Sequence, residues 1–145
     1  MLSPRLDAVA LSALSTLALA QVGDAAFELM VRTRLCAAGT RTAQRLHARR
    51  VRLVAAPAQA AMAARLETAL SGEERAVFTR GRNARAAQVP QAATRREYQA
   101  ATALETLWGW LWLSGQTERL EELFDLAMEG GRGCEALARG APALD

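Results

Sequence analysis

The sequence predicts an all-α protein, on three observations. Apolar residues recur at helical spacing over long segments, no run alternates β-branched or aromatic residues with polar ones, and no Asn-Gly or Asp-Gly pair offers a hairpin turn. Helix punctuation then divides the chain. Ser3-Pro4 reads as an N-cap and first-turn pair for a short opening helix. Ser15 is placed to cap a long helix that runs to about Ala37 and ends at Gly39. Thr42 to about Val54 reads as the next, with Leu46 and Leu53 on an apolar face and Arg49 and Arg50 on a basic one. Another begins near Pro57, which the first turn tolerates, and continues to about Leu70. Ser71-Gly-Glu-Glu74 has the form of a capping box and opens a helix to about Arg80. The stretch GRNARAAQVPQAA, residues 81–93, carries Gly, Asn and Pro with Val89 as its one core residue, and is expected to be an exposed loop. Thr94-Arg-Arg-Glu97 forms a second box, opening a helix to about Ser114 that Gly115 stops. Thr117 to Glu129 places Leu120, Leu123, Phe124 and Ala127 on one face before Gly130-Gly131 ends it. No internal repeat or linker divides these elements, so one domain over residues 1–130 and a flexible tail over residues 131–145 are expected.

Bulk properties exclude several classes. Ser12, Ser15, Thr16, Gln21 and Asp24 interrupt the N-terminal apolar run, which leaves no stretch fit to span a membrane. Ala18-Leu19-Ala20 imitates a secretory processing site. Asp7 sits where such a signal wants positive charge, and the hydroxyls break its apolar region, so retention of this helix is expected. Cys36 and Cys134 match no metal spacing and form no CxxC, which suits a reducing cytoplasm; Cys36 is expected to be a small buried hydrophobe. All 18 cations are Arg. Between Leu29 and Arg96, 14 Arg stand against Glu67, Glu73 and Glu74, a net charge of +11, whereas the residues from Glu97 onward carry −6. A basic slab of this density suits a polyanion such as a nucleic-acid backbone, although an Arg-rich, Ala-rich composition produces solvated basic surfaces as well.

Chemistry concentrates on two acids. Asp24 lies among Leu17, Leu19, Val22, Phe27 and Leu29, with Glu28 one turn further along. Glu105 is set in ALETLWGWLWL, with no cation nearer in sequence than Arg96 and Arg119, and Thr102 is its i−3 neighbour. Carboxylates in such surroundings are desolvated unless something compensates them. If their two helices pack together, they form a site of hard oxygens suited to Mg²⁺ or Mn²⁺; the alternative pairs Asp24 or Glu105 with a buried Arg such as Arg32 or Arg96. Trp108 and Trp112 share a face, with Trp110 pointing away, which favours core and interface over base stacking.

VGDAAFEL at 22–29 resembles the glycine-aspartate-alanine heart of the ribonuclease III signature, and ATALETLWGWLWLSG at 101–115 resembles that family's second acidic helix. More specifically, LALAQVGDAAFEL, RLHARRVRLVAAPAQA, RGRNARAAQVPQAA and EYQAATALETLWGWLWLSGQTERLEEL are similar in order and spacing to Mini-ribonuclease III, the bacterial form without a double-stranded-RNA-binding domain. The resemblance covers residues 14 to about 126. It implies a ribonuclease III endonuclease-domain-like helical bundle, homodimeric and cytoplasmic, that hydrolyses double-stranded RNA with Mg²⁺, for which Mn²⁺ substitutes. It further implies 5′-phosphate products and maturation of the large-subunit ribosomal RNA precursor, with a ribosomal protein as a candidate helper and no membrane partner. Asp24 and Glu105 become the catalytic, metal-holding carboxylates.

Full-length ribonuclease III enzymes carry further acids where this chain has Ala20 and Thr102; Mini-ribonucleases III lack them too, so waters and RNA phosphate must complete a sparse shell. Gln21 stands where the family usually has an aromatic residue beside the dimer seam, and Arg85 or neutral residues replace lysines around the basic loop. Arg80, Arg82, Asn83 and Arg85 are the candidates to contact the backbone and 2′-hydroxyls of duplex RNA, the alternative being a solvated turn. Arg50 of the basic helix face joins that set. His47, the only histidine, cannot anchor a zinc cluster and suits a phosphate or structural hydrogen bond; Tyr98 either hydrogen-bonds RNA or packs. The rival functions are a catalytically inactive RNA-binding or ribosome-assembly module with the same fold, and an Arg-rich helical protein that binds DNA.

Overall fold

The computed structural model describes residues 5–84 and 94–129. Seven helices account for the regular structure there: α1 (Ala8–Ala13), α2 (Thr16–Ala37), α3 (Ala43–Val54), α4 (Ala56–Leu66), α5 (Gly72–Arg82), α6 (Arg95–Leu113) and α7 (Thr117–Met128). No strand occurs among the described residues, as the sequence predicts. Helix entrances follow the expected chemistry. Ser15 accepts from the Ala18 N–H, Thr42 from Arg45 and Thr94 from Glu97, and Ser71 and Glu74 form the complete reciprocal box. The opening helix corrects an expectation: residues 5–7 are not helical, and α1 is capped by Asp7, which accepts from the Ala10 N–H at 2.8 Å, and not by Ser3-Pro4. Ser3 and Pro4 themselves lie outside the described residues, as do residues 85–93 with Arg85 and Val89, and the tail from residue 130.

Two exits share one device. Gly39 (φ +97°) and Gly115 (φ +72°) turn left-handed after α2 and α6. The following amides, Thr40 and Gln116, then donate to the Leu35 and Leu111 carbonyls at 3.0 Å, while the glycine amides donate to Cys36 and Trp112. This six-to-one pattern closes both helices without a side-chain cap.

Two boundaries differ from expectation. α4 ends at Leu66 rather than near Leu70, because the chain must turn there to bury Leu70 in the core and present the Ala69 carbonyl to Arg119 Nη2 at 2.8 Å. α5 continues to Arg82. Gly81, expected in the loop, is instead the point where α5 meets α6, since a Cβ there would stand 2.6 Å from Thr106 Oγ1.

α6 is the axis, packed on by α2, α4, α5 and α7. Ala103, Leu104, Leu107, Trp108 and Leu111 from α6 meet Phe27, Val31 and Leu35 of α2, Met62 and Leu66 of α4, Phe78 of α5 and Leu123 and Phe124 of α7. The Phe124 ring meets Phe27 and Trp108 edge-on at 6.1 and 6.4 Å between centroids. Trp108 is fully buried, which removes it from base stacking, and Trp110 and Trp112 both pack partly against the core. Cys36 corrects an expectation: it is exposed, because Val31 and Leu35 face the core and the next residue on the helix is turned towards solvent. No helix among the described residues is long and apolar enough to cross a membrane.

One buried ion pair locks α5 to α7. Glu74, 4% exposed, accepts from Arg119 Nε at 2.8 Å and Nη2 at 3.0 Å, and from the Ser71 amide at 2.8 Å. Arg119 holds the Glu74 carboxyl below its ordinary range of about 4.5. The bridge is therefore fully stabilising above that pH and is lost as pH falls through the lowered folded-state value. Arg119→Ala, which strands the buried charge, is expected to cost about 3 kcal/mol at neutral pH. Urea unfolding should show that cost shrinking once Glu74 protonates, and a cost equal at neutral and strongly acid pH would count against the bridge.

Candidate active site

The site begins with a glycine. α2 crosses α6 so closely at Gly23 that an added Cβ would lie 1.6 Å from the Glu105 carbonyl oxygen and 2.7 Å from the Gly109 nitrogen. Gly109 answers from the other side, where a Cβ would lie 1.9 Å from the Leu19 carbonyl oxygen. Two backbones in direct contact leave no room for side chains between them, so the residues at the rim of the seam are brought together. Those residues are Asp24 and Glu105.

Glu105 is half-buried and its carboxyl is pushed up to about 7, first by burial and next by the negative charge of Asp24, with the Gln59 amide acting in the opposite direction. Asp24, more exposed, is also raised: burial contributes most, Glu28 adds to it, and the Arg50 guanidinium opposes both. Among the described residues no arginine bridges Asp24 or Glu105. Of the two partners considered for them, Arg32 binds Glu28 instead, and Arg96 is exposed. Glu28 is also held in a two-point grip by Arg50, from Nε at 2.6 Å and Nη2 at 2.8 Å, and this pulls its carboxyl below the usual range. The two helices thus present an acid bridged by arginine, Glu28, beside a pair that no arginine bridges among the described residues.

The positions of the extra acids in full-length enzymes add nothing to the pair. Ala20 is buried, and Thr102 is buried with its hydroxyl donating to the Tyr98 carbonyl at 3.0 Å. No group of three or more His, Cys, Asp or Glu side chains suited to a metal occurs among the described residues. Two hard oxygen groups close enough for the charge of Asp24 to raise the proton affinity of Glu105 nevertheless fit Mg²⁺, which is commonly held by one or two carboxylates while water and substrate phosphate fill its remaining positions.

The other residues singled out in the sequence lie on α3, α5 and α6 and just past the end of α5, apart from Arg85, which is outside the described residues. Arg80 is exposed, with Nε donating to Thr16 Oγ1 at 3.2 Å. Arg82 bridges Glu67 and lies over the Phe78 ring, 5.0 Å from its centroid. Asn83 is the exposed C-cap of α5, His47 is exposed on α3, and Tyr98 is half-buried on α6. Arg50, expected on a free basic face, has its guanidinium engaged by Glu28. Gln59 escaped the sequence reading altogether. Its one signal is position: with Met62, Ala63 and Leu66 it occupies the buried stripe of α4, where an amide is out of place.

A ribonuclease III domain profile matches residues 17–116, which include both acids and the Gly23–Gly109 crossing. The Mini-ribonuclease 3 of Symbiobacterium thermophilum is 43% identical over 116 residues, covering 80% of this chain and 89% of that protein. The chain belongs to the Mini-ribonuclease III branch of the ribonuclease III family. The Mini-ribonuclease 3 of Gloeobacter violaceus is 41% identical over 124 residues, covering 86% of this chain and 90% of that protein. A crystal structure of a Fusobacterium nucleatum protein shares the fold at a TM-score of 0.73 and 26% identity, over 81% of this chain and 94% of that one. Membership makes the chain a ribonuclease III-type endoribonuclease. Its family acts on double-stranded RNA and generally depends on a divalent metal ion.

Proposed function

We propose that the chain is a Mg²⁺-dependent endoribonuclease that cuts duplex RNA to give 5′-phosphate ends, acting as a homodimer in the cytoplasm on the large-subunit ribosomal RNA precursor, with a ribosomal protein as a candidate helper. The observation that carries the reading is the convergence of Asp24 and Glu105, with no arginine bridging either among the described residues, on a seam closed by two glycines. When bound, Mg²⁺ (or Mn²⁺ in its place) activates a water as nucleophile and offsets charge on the phosphoryl oxygens. Asp24 and Glu105 are the groups that hold it. Below pH 7 the Glu105 carboxyl takes up a proton and offers less charge to a cation. Arg50 sets a positive charge near Asp24 and favours its ionised form, while Glu28 fixes where that guanidinium lies.

Arginines draw the duplex in. Arg80, exposed and, among the described residues, tied to a hydroxyl alone, is the foremost phosphate contact, and Arg82, Asn83, Arg85, His47, Arg50 and Tyr98 are proposed beside it. Val9, Leu17 and Leu29 stand exposed on α1 and α2, at 77%, 42% and 59%, and support pairing with a second copy. In such a pair, two sites related by the dyad cut the two strands with a stagger.

One gel tests the reading. Purified protein incubated with duplex RNA should release products with Mg²⁺ and none with a chelator, whereas intact RNA that is nonetheless bound would favour the inactive module. Arg80→Ala is expected to weaken RNA binding and to lower the slope of log affinity against log salt by about 1. An unchanged slope would remove Arg80 from the RNA surface.

A further inference from the structure

On the reading just given, in which Arg80 and Arg82 meet RNA phosphate and Asp24 and Glu105 hold the metal, we infer that Gly81 is a positioning residue for cleavage. By letting the last turn of α5 rest directly on the turn of α6 that carries Glu105, it sets the spacing between the backbone grip and the carboxylate pair.

Gly81 serves its own helix poorly. It lies in the last turn of α5, where an alanine would hold the helix better, and its φ is not left-handed, so no turn demands a glycine there. What demands it is α6. A Cβ at Gly81 would stand 2.6 Å from Thr106 Oγ1, 2.8 Å from Thr106 Cβ and 2.9 Å from Ala103 Cα. None of these gives way cheaply. One is backbone, and Thr106 is a fully buried, β-branched residue whose hydroxyl is occupied, donating to the Thr102 carbonyl at 2.7 Å. Ala103 and Thr106 bracket Glu105 on α6. The turn that bears the acid is thus the seat of α5, as well as the place where α2 crosses at Gly23.

The chain neighbours of Gly81 are the two arginines. While the glycine faces α6, Arg80 is exposed and reaches Thr16 at the head of α2, and half-buried Arg82 lies over the Phe78 ring and bridges Glu67. No side chain at position 81 separates the two helices, so no change of rotamer there alters the interval from arginine to acid. Phosphate contacts fix the register of a protein on a duplex, and duplex RNA is recognised mainly through its shape. The interval from grip to carboxylates therefore decides which phosphate reaches the metal. A displacement of about 1 Å in such an arrangement costs about 100-fold in rate.

The test is single-turnover cleavage of duplex RNA in Mg²⁺ at saturating protein by wild type, Gly81→Ala, Thr106→Gly and the double variant, with RNA affinity measured in chelator. Gly81→Ala should lower the cleavage rate constant at least about 10-fold. Its RNA affinity should stay close to wild type, because both arginines remain. A role in folding alone would reduce only the concentration of competent protein, which saturation makes good, and would leave the rate constant unchanged. Thr106→Gly returns the space from the other side of the seam, so Gly81→Ala should cost little in that background. The double variant, compared with Thr106→Gly, decides the matter if Gly81→Ala alone does not fold. A folded Gly81→Ala that cuts at the wild-type rate constant, or that slows cleavage as much with Thr106→Gly as without it, overturns the role of Gly81 alone. Wild type that does not cut duplex RNA in Mg²⁺ overturns both this role and the reading beneath it.

Discussion

Asp24→Asn and Glu105→Gln are each expected to lower the cleavage rate by about 10³-fold or more, a loss of about 4 kcal/mol of transition-state stabilisation. RNA binding should survive, because neither change removes an arginine proposed to meet phosphate. Single-turnover cleavage together with equilibrium RNA binding separates the two effects, and near-normal cleavage in both variants would end the catalytic assignment. Glu105→Gln carries a second signature, in stability. Because the Glu105 carboxyl sits at about 7 in the folded chain against an ordinary 4.5, its ionisation opposes folding. The penalty is absent below pH 4.5, grows between the two values and is complete above pH 7. It amounts to about 2–3 kcal/mol after allowance for partial exposure. In chelator, the variant should therefore melt several degrees above wild type at mildly alkaline pH and level with it at pH 4.5. A variant that melts level with wild type at alkaline pH would mean that Glu105 is better solvated than its position implies. An enzyme stabilised by loss of its own acid is the expected sign of a site arranged for chemistry at the expense of the fold.

Gly23→Ala is expected to cost about 3 kcal/mol or more, near the top of the range for overpacking. The obstacle is backbone. At 1.6 Å from the Glu105 carbonyl, the new methyl can be housed only if α2 and α6 move apart. That movement would also separate Asp24 from Glu105, so whatever fraction folds should cleave poorly. Gly72, which opens α5, is the control: a Cβ there meets nothing within 4 Å, and Gly72→Ala should be nearly neutral. Urea unfolding of the two variants makes the comparison, and equal midpoints would show that the seam has slack.

Legibility from sequence was uneven for physical reasons. Helix entrances were readable because a cap is local: Ser15, Thr42, Ser71 and Thr94 each find their amide partner three residues on. The isolation of Asp24 and Glu105 in apolar helices was readable too, since a missing countercharge nearby shows in the string. That the two acids meet came from the family resemblance and not from spacing, for it depends on which face of α2 lies on α6, and Gly23 and Gly109 decide that over a separation of 86 residues. Long-range pairing likewise hid the Arg50 grip on Glu28 and the Arg119 grip on Glu74, and turned the end of α4 early at Leu66. Gln59 was hidden by composition, as a single amide in an alanine-rich helix carries no periodic signal of its own.

The bridge between Arg82 and Glu67 alters how a phosphate group would arrive at that end of α5. The guanidinium is already neutralised and already seated on the Phe78 ring, so an incoming anion displaces a resident carboxylate instead of filling a vacancy. What such an exchange yields is only the difference between two similar attractions. The displaced Glu67 charge, released next to the newcomer, takes back part of it.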